Sequence, residues 1–150
     1  MIKTIIIAIL FVGSVFAKNS TDDLSLIKAA KNAREKSYCP YSNYAVGAAI
    51  KTKDNKIYKG VNVENASYGL VICAERSAVF NAVTDGNKNI EEIAIVTKDG
   101  GAPCGGCRQV LNEFNPNMIV IISNEDGSKI TKYRLKELLP DSFGPHNLKK

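Results

Sequence analysis

The hydrophobic positions fall in blocks, and the first block stands apart from the rest. Behind the basic start Met1-Ile2-Lys3, Thr4 to Phe16 is almost wholly apolar and closes on Val15-Phe16-Ala17, the kind of pattern a signal peptidase reads. The run is shorter than the roughly 20 apolar residues a transmembrane helix needs. It predicts a cleaved secretory signal over residues 1–17, with Lys18 as the first mature residue. The remainder, 18–150, then forms one secreted, extracellular domain with no stable membrane association. An uncleaved anchor or a buried N-terminal helix is the alternative.

Past this block the period changes from element to element. Asp22 or Asp23 can cap a helix running to about Lys36, with Leu24, Ile27, Ala30 and Ala33 near helical spacing. Tyr38-Cys39-Pro40-Tyr41-Ser42-Asn43 breaks it, because proline and its predecessor disfavour continuation. Tyr44 to Lys51 and Lys56 to Val63 read as two strands joined at Asp54-Asn55. Cys73 opens a helix ending near Asp85-Gly86. Glu92 to Thr97 is a short β-branched strand, Gly100 to Pro103 a loop, and Cys104 to Phe114 a further helix stopped near Pro116. Met118 to Ser123 and Ile130 to Tyr133 read as strands, and Leu135 to Leu139 as a short helix. A hairpin followed by alternating strands and helices predicts an α/β domain, a mixed sheet with helices on both faces in a three-layer α-β-α sandwich.

Composition adds little and excludes something. With 45% apolar and 23% charged residues the chain has the make-up of a globular domain. The net charge of +5 comes from scattered lysines rather than a basic face, so no nucleic-acid partner is expected. The four cysteines are spaced unlike a disulfide framework: Cys104 and Cys107 form a C-x-x-C pair, Cys73 stands upstream, and Cys39 is left over.

The chemistry concentrates at two helix starts. Cys73-Ala74-Glu75 opens one, and Pro103-Cys104-Gly105-Gly106-Cys107 opens the other. A C-x-x-C turn brings two sulfurs onto one cation and Cys73 supplies a third, while helix N-termini favour thiolate over thiol. Three protein ligands leave a position for water, the mark of a catalytic rather than a structural site. Cys39 and His146, the lone histidine, are the other ligand-type residues; one lies in a Pro-Tyr turn and the other in a polar tail. Glu75, two residues after a ligand, is placed to take a proton from that water and pass it on. Its alternative role is to complement the helix dipole. Arg76 can donate hydrogen bonds to the ligating sulfurs and offset their charge, or merely form a surface ion pair.

The C-x-E plus P-C-x-x-C arrangement resembles that of zinc nucleobase deaminases in their three-cysteine form. The surrounding residues resemble the small cytidine deaminases more specifically. These are Tyr41-Ser42-Asn43-Tyr44-Ala45-Val46-Gly47-Ala48-Ala49, Asn62-Val63-Glu64-Asn65-Ala66-Ser67-Tyr68-Gly69, Cys73-Ala74-Glu75-Arg76, Pro103-Cys104-Gly105-Gly106-Cys107-Arg108-Gln109 and Leu138-Leu139-Pro140.

The resemblance implies a five-stranded sheet, a homotetramer and one zinc ion per subunit on Cys73, Cys104 and Cys107. It implies hydrolytic deamination of cytidine and 2′-deoxycytidine to the uridines, a step of pyrimidine salvage, with Glu75 as proton shuttle. Asn62 and Glu64 fall where the family holds the ribose hydroxyls; the alternative is that both merely satisfy turn backbone. Tyr44 stands where the family usually has phenylalanine packed on the base. The Ala74 backbone and the loop around Ala102 would contact the base, and Phe143 would complete a neighbouring subunit's pocket. Two rivals remain: a deaminase of another amine or of single-stranded nucleic acid, and a zinc module without catalysis.

Overall fold

The computed structural model describes residues 20–148, so the signal-peptide reading of 1–17 and the mature start at Lys18 lie outside the described residues. The chain runs α1 (Thr21–Arg34), β1 (Gly47–Thr52), β2 (Ile57–Val61), a 3-10 turn (Tyr68–Leu70), α2 (Ala74–Thr84), β3 (Ile90–Thr97) and α3 (Gly105–Phe114). It continues through β4 (Ile119–Asn124), β5 (Ile130–Arg134), α4 (Leu135–Leu138) and α5 (Pro145–Leu148). The strands form one five-stranded sheet in the order β2-β1-β3-β4-β5. The β3–β4 pair is parallel and the other three are antiparallel. The sheet is therefore mixed, as expected.

Strand alternation divides the core in two. Ala48, Ile50, Ile93, Ile95, Val120 and Ile122 face one side, where Ala78, Val79, Leu111 and Leu135 of the later helices cover them. Their neighbours Ala49, Ala94, Val96 and Ile121 face the other side, against Leu26, Ile27 and Ala30 of α1. Helices thus bury both faces, giving the three-layer sandwich.

The first helix differs from the sequence reading at its start. Ser20, not Asp22 or Asp23, is the N-cap, and Asp23 closes a capping box by accepting from the Ser20 N–H at 2.6 Å. This phase turns Leu24 to solvent, 52% exposed, and puts Leu26 in the core. The first strand also begins three residues later than Tyr44. Asn62 accounts for the difference: it satisfies the backbone of Tyr44 and Val46 with its side chain instead of a ladder. Beyond Val61, Val63 makes only isolated bridges to Tyr38 and Ile72. His146, in the polar tail, lies in the short helix α5.

Two glycines set how closely the helices approach. A Cβ on Gly47 would lie 2.1 Å from the Ala30 carbonyl of α1, and one on Gly60 would lie 2.3 Å from both the Ala74 carbonyl and the Ala78 nitrogen of α2. The lack of a side chain at Gly60 thus sets where the first turn of α2 sits on the sheet. Both β2 and β3 run antiparallel to β1, so α2 and α3 each start beyond the same edge of the sheet. That edge, at the carboxyl end of β3, is where α/β sheets characteristically bind ligands.

Candidate active site

Cys73 and Cys104 occupy equivalent places. Each is the N-cap of its helix with extended backbone, φ −78° and ψ 155° at Cys73, φ −66° and ψ 163° at Cys104, and neither caps with its side chain. Their sulfurs are left for another partner. Cys107, one turn into α3 and fully buried, turns its sulfur to the same point. The three sulfurs lie within 4.8 Å of one another, and Cys104 and Cys107 are 3.4 Å apart. Neither Cys39, whose sulfur lies 3.6 Å from the Ser37 hydroxyl, nor His146 joins the group.

Charge gathers on this cluster. The Cys73 thiol is pushed down to about 5, first by the hydrogen bond that Cys107 gives it and then, against burial, by Arg76. Cys107 is pushed up because it keeps the proton it donates and because it is buried. Arg76 donates from Nη2 to Cys73 Sγ at 3.3 Å and to the Val71 carbonyl at 3.2 Å, while its buried Nε has no partner. Glu75 is 4% exposed. Burial raises its pKa, and the negative charge at Cys73 raises it further.

Above the sulfurs opens a cavity of about 280 Å³ whose walls include Tyr44, Asn62, Glu64, Cys73, Glu75 and Cys104. Ala74 and Ala102 also line it, and among the described residues no lysine or arginine does. Asn62 Oδ1 accepts from Val46 N–H at 2.9 Å and Nδ2 donates to the Tyr44 carbonyl at 3.0 Å. Glu64 accepts from the N–H groups of Tyr41 at 2.9 Å and Ser42 at 3.1 Å, and from the Ser42 hydroxyl. Those bonds hold its carboxyl below the usual range, the hydroxyl first. The backbone-satisfying role weighed for both residues is therefore real, yet the Asn62 amide retains a hydrogen and a lone pair, and Glu64 retains acceptor capacity.

Cys107 and Arg76 join the site through the sulfur cluster rather than the cavity wall, whereas Phe143 is brought to neither by its own chain. Its carbonyl accepts from Gln109 at 2.9 Å and Asn112 at 3.3 Å, which strap the tail to α3, and its side chain is exposed.

The sequence pattern of the family described as "Cytidine and deoxycytidylate deaminase zinc-binding region" matches residues 20–123. The chain belongs to this family. It is 44% identical over 126 residues to a cytidine deaminase of Sporosarcina psychrophila, covering 82% of this chain and 92% of that one. Among solved structures it resembles a cytidine deaminase of Burkholderia pseudomallei, with a TM-score of 0.77 at 48% identity over 80% of this chain and 98% of that one. It also resembles that of Mycobacterium tuberculosis, with a TM-score of 0.72 at 38% identity over 83% and 99%.

The donor set fits the zinc of the family. Tetrahedral zinc with sulfur ligands at about 2.3 Å has sulfur–sulfur edges of roughly 3.8 Å, close to the spacing in this cluster. The donors are thiols, one of them already acidified. Sequence reasoning did not single out Thr97, Asp99 and Gly101, which stand together at the cavity's edge. The signal was present: a hydroxyl on the last residue of a strand, then a carboxylate and a glycine at alternate positions beyond it, are turn-forming chemistry.

Proposed function

We propose that this chain hydrolyses cytidine and 2′-deoxycytidine to uridine and 2′-deoxyuridine with release of ammonia, using zinc held by Cys73, Cys104 and Cys107. The observation that carries the reading is the three-sulfur cluster at the foot of a cavity that also holds the buried carboxyl of Glu75. Zinc bound there supplies Lewis-acid activation of a water molecule at neutral pH. Glu75 takes one proton from the water that adds to C4 and gives it to N3, then takes the remaining proton from the new C4 hydroxyl and delivers it to the departing amine. Its raised pKa suits it to both halves of that exchange.

The remaining residues hold the nucleoside. The Tyr44 ring forms a wall for the base, and the Ala74 backbone lies beside the ligand cysteine, where it meets the base edge. Asn62 and Glu64 retain the hydrogen-bonding capacity to take the ribose hydroxyls. Among the described residues, the absence of lysine and arginine from the cavity walls, with a carboxylate present, favours a free nucleoside over a phosphorylated one.

The finer expectations join this proposal. Residues 1–17 form a cleaved signal and 18–150 the secreted deaminase domain; the leader's composition and the family match beginning at residue 20 support this. The protein assembles as a homotetramer in which Phe143 reaches a neighbouring cavity. Exposed Phe143, Tyr68 and Leu70 support it, at 60%, 74% and 73% exposure. Sedimentation of wild type and Phe143→Ala, with the N-terminal mass of secreted material, tests both.

Conversion of cytidine by purified protein, followed alongside zinc content, tests the reaction. Turnover should track bound zinc and vanish in Glu75→Gln. Full zinc occupancy without turnover of cytidine or 2′-deoxycytidine would overturn the reading.

A further inference from the structure

Just beyond the last rung of the β1–β3 ladder, side chains take over from the backbone. Gly47 pairs with Val96, and continuing that antiparallel register outward sets Tyr44 opposite Asp99. The side chains close the gap: the Tyr44 hydroxyl donates to Asp99 Oδ1 at 2.5 Å. The same oxygen accepts from Thr97 Oγ1 at 3.1 Å, and Thr97 Oγ1 in turn accepts from the Gly101 N–H at 2.7 Å. Tyr44, Thr97 and Gly101 all line the cavity. Asp99 does not, yet it is the joint through which they are held.

We infer that Asp99 is a positioning residue for substrate binding: it latches the Tyr44 ring and the Gly101–Ala102 backbone into one rigid wall of the cavity. The inference rests on the nucleoside reading of that cavity. A second observation points the same way. A Cβ on Gly101 would lie 2.6 Å from the Tyr44 hydroxyl, so residue 101 must be glycine only while Tyr44 is latched. Gly101 does not need a left-handed backbone here, because its φ lies outside that range. The constraint comes from the phenol oxygen alone. Asp99 is held below the usual carboxylate range, by Tyr44 first and Thr97 next, and so stays an ionised acceptor at neutral pH.

The latch orders the wall before substrate arrives, so its loss should appear in binding rather than in the chemical step. Steady-state kinetics on cytidine should show Asp99→Ala and Tyr44→Phe each raising KM about tenfold with little change in kcat. The double variant should be no worse than either single one. Gly101→Ala should raise KM, and adding Tyr44→Phe should return it to the Tyr44→Phe level, because the clashing oxygen is gone. Additive effects, a kcat loss without a KM change, or no rescue of Gly101→Ala would overturn the inference. The same cycles read by thermal unfolding judge the latch without any substrate. A wild type that leaves cytidine untouched but shows Tyr44–Asp99 coupling in unfolding would sink the nucleoside reading, and with it the role in binding, while leaving the latch.

Discussion

Arg76 Nη2 and Cys73 Sγ are 3.3 Å apart, and the same nitrogen is tied to the Val71 carbonyl just before the α2 cap. On the zinc reading proposed above, the guanidinium would both orient Cys73 as a ligand and offset thiolate charge. Three thiolates on a zinc dication carry a net charge of −1, which weakens the acidification of water relative to neutral ligands. Arg76→Ala should therefore keep the fold and lose about 10–100-fold in turnover or zinc affinity. Lysine offers a point charge without the fork, so Arg76→Lys should recover only part of the loss. Wild-type zinc content and turnover in Arg76→Ala would refute this.

Gly60 predicts a different kind of damage. A methyl there meets backbone atoms of α2 at 2.3 Å, and backbone has no rotamer to escape into. Gly60→Ala must push away the turn that carries Cys73, Ala74 and Glu75, at about 1–3 kcal/mol of stability. Small misplacements of catalytic groups are costly, so turnover per folded molecule should fall about 100-fold. Gly47→Ala makes the useful contrast. It clashes with α1 at 2.1 Å, and α1 carries no site residue, so it should lose stability while the folded fraction keeps its rate. Equal rate losses in the two variants, measured against unfolding curves, would contradict the argument.

These contrasts bear on how much the sequence made legible. The helix starts at Cys73 and Cys104 were readable because ligand chemistry and helix breakers coincide there, and α2 begins at Ala74 and α3 at Gly105. The buried strands β3 and β4 were equally plain as β-branched runs. The phase of α1 was not, because Ser20, Asp22 and Asp23 are all good caps. The ion pair of Asp23 with Lys132, far away in sequence, adds to the Ser20 capping box in favouring the observed phase. The start of β1 was misplaced for the same reason. A side chain, Asn62, replaces ladder bonds at Tyr44 and Val46, and periodicity does not register that substitution. The latch through Asp99 depends on strand register, which a single sequence leaves open.

Asp23 and Lys132 give a prediction in acid. Asp23 is 3% exposed, and its Oδ2 accepts from Lys132 Nζ and Ser20 N–H, both at 2.6 Å. Burial alone would raise its pKa, but the bonds from Lys132 and Ser20 prevail and hold it below the ordinary aspartate value. A carboxyl with a depressed folded pKa contributes stability in full above its unfolded value of about 3.9, and loses it as pH falls through the folded value. Asp23→Asn should cost about 1–3 kcal/mol at pH 7. Denaturant unfolding should show that difference shrinking once pH drops below about 3.9. A pH-independent difference would mean that packing, not charge, sets the effect.

The sulfur cluster makes the last prediction, which concerns how its thiols meet an oxidant. The Cys104 and Cys107 sulfurs lie 3.4 Å apart, and Cys104 is exposed to solvent. Oxidation of that pair to a disulfide would remove two of three zinc ligands at once. Metal binding and folding are coupled, so zinc acquired before or during export would keep both sulfurs as ligands and out of reach of oxidants. Thiol titration of the zinc-loaded protein should then detect Cys39 alone, the half-buried cysteine outside the cluster. Adding a chelator should release Cys73, Cys104 and Cys107 to the reagent and abolish deamination in step. All four thiols reacting before chelation, or a Cys104–Cys107 disulfide in native material, would show that zinc does not guard the site.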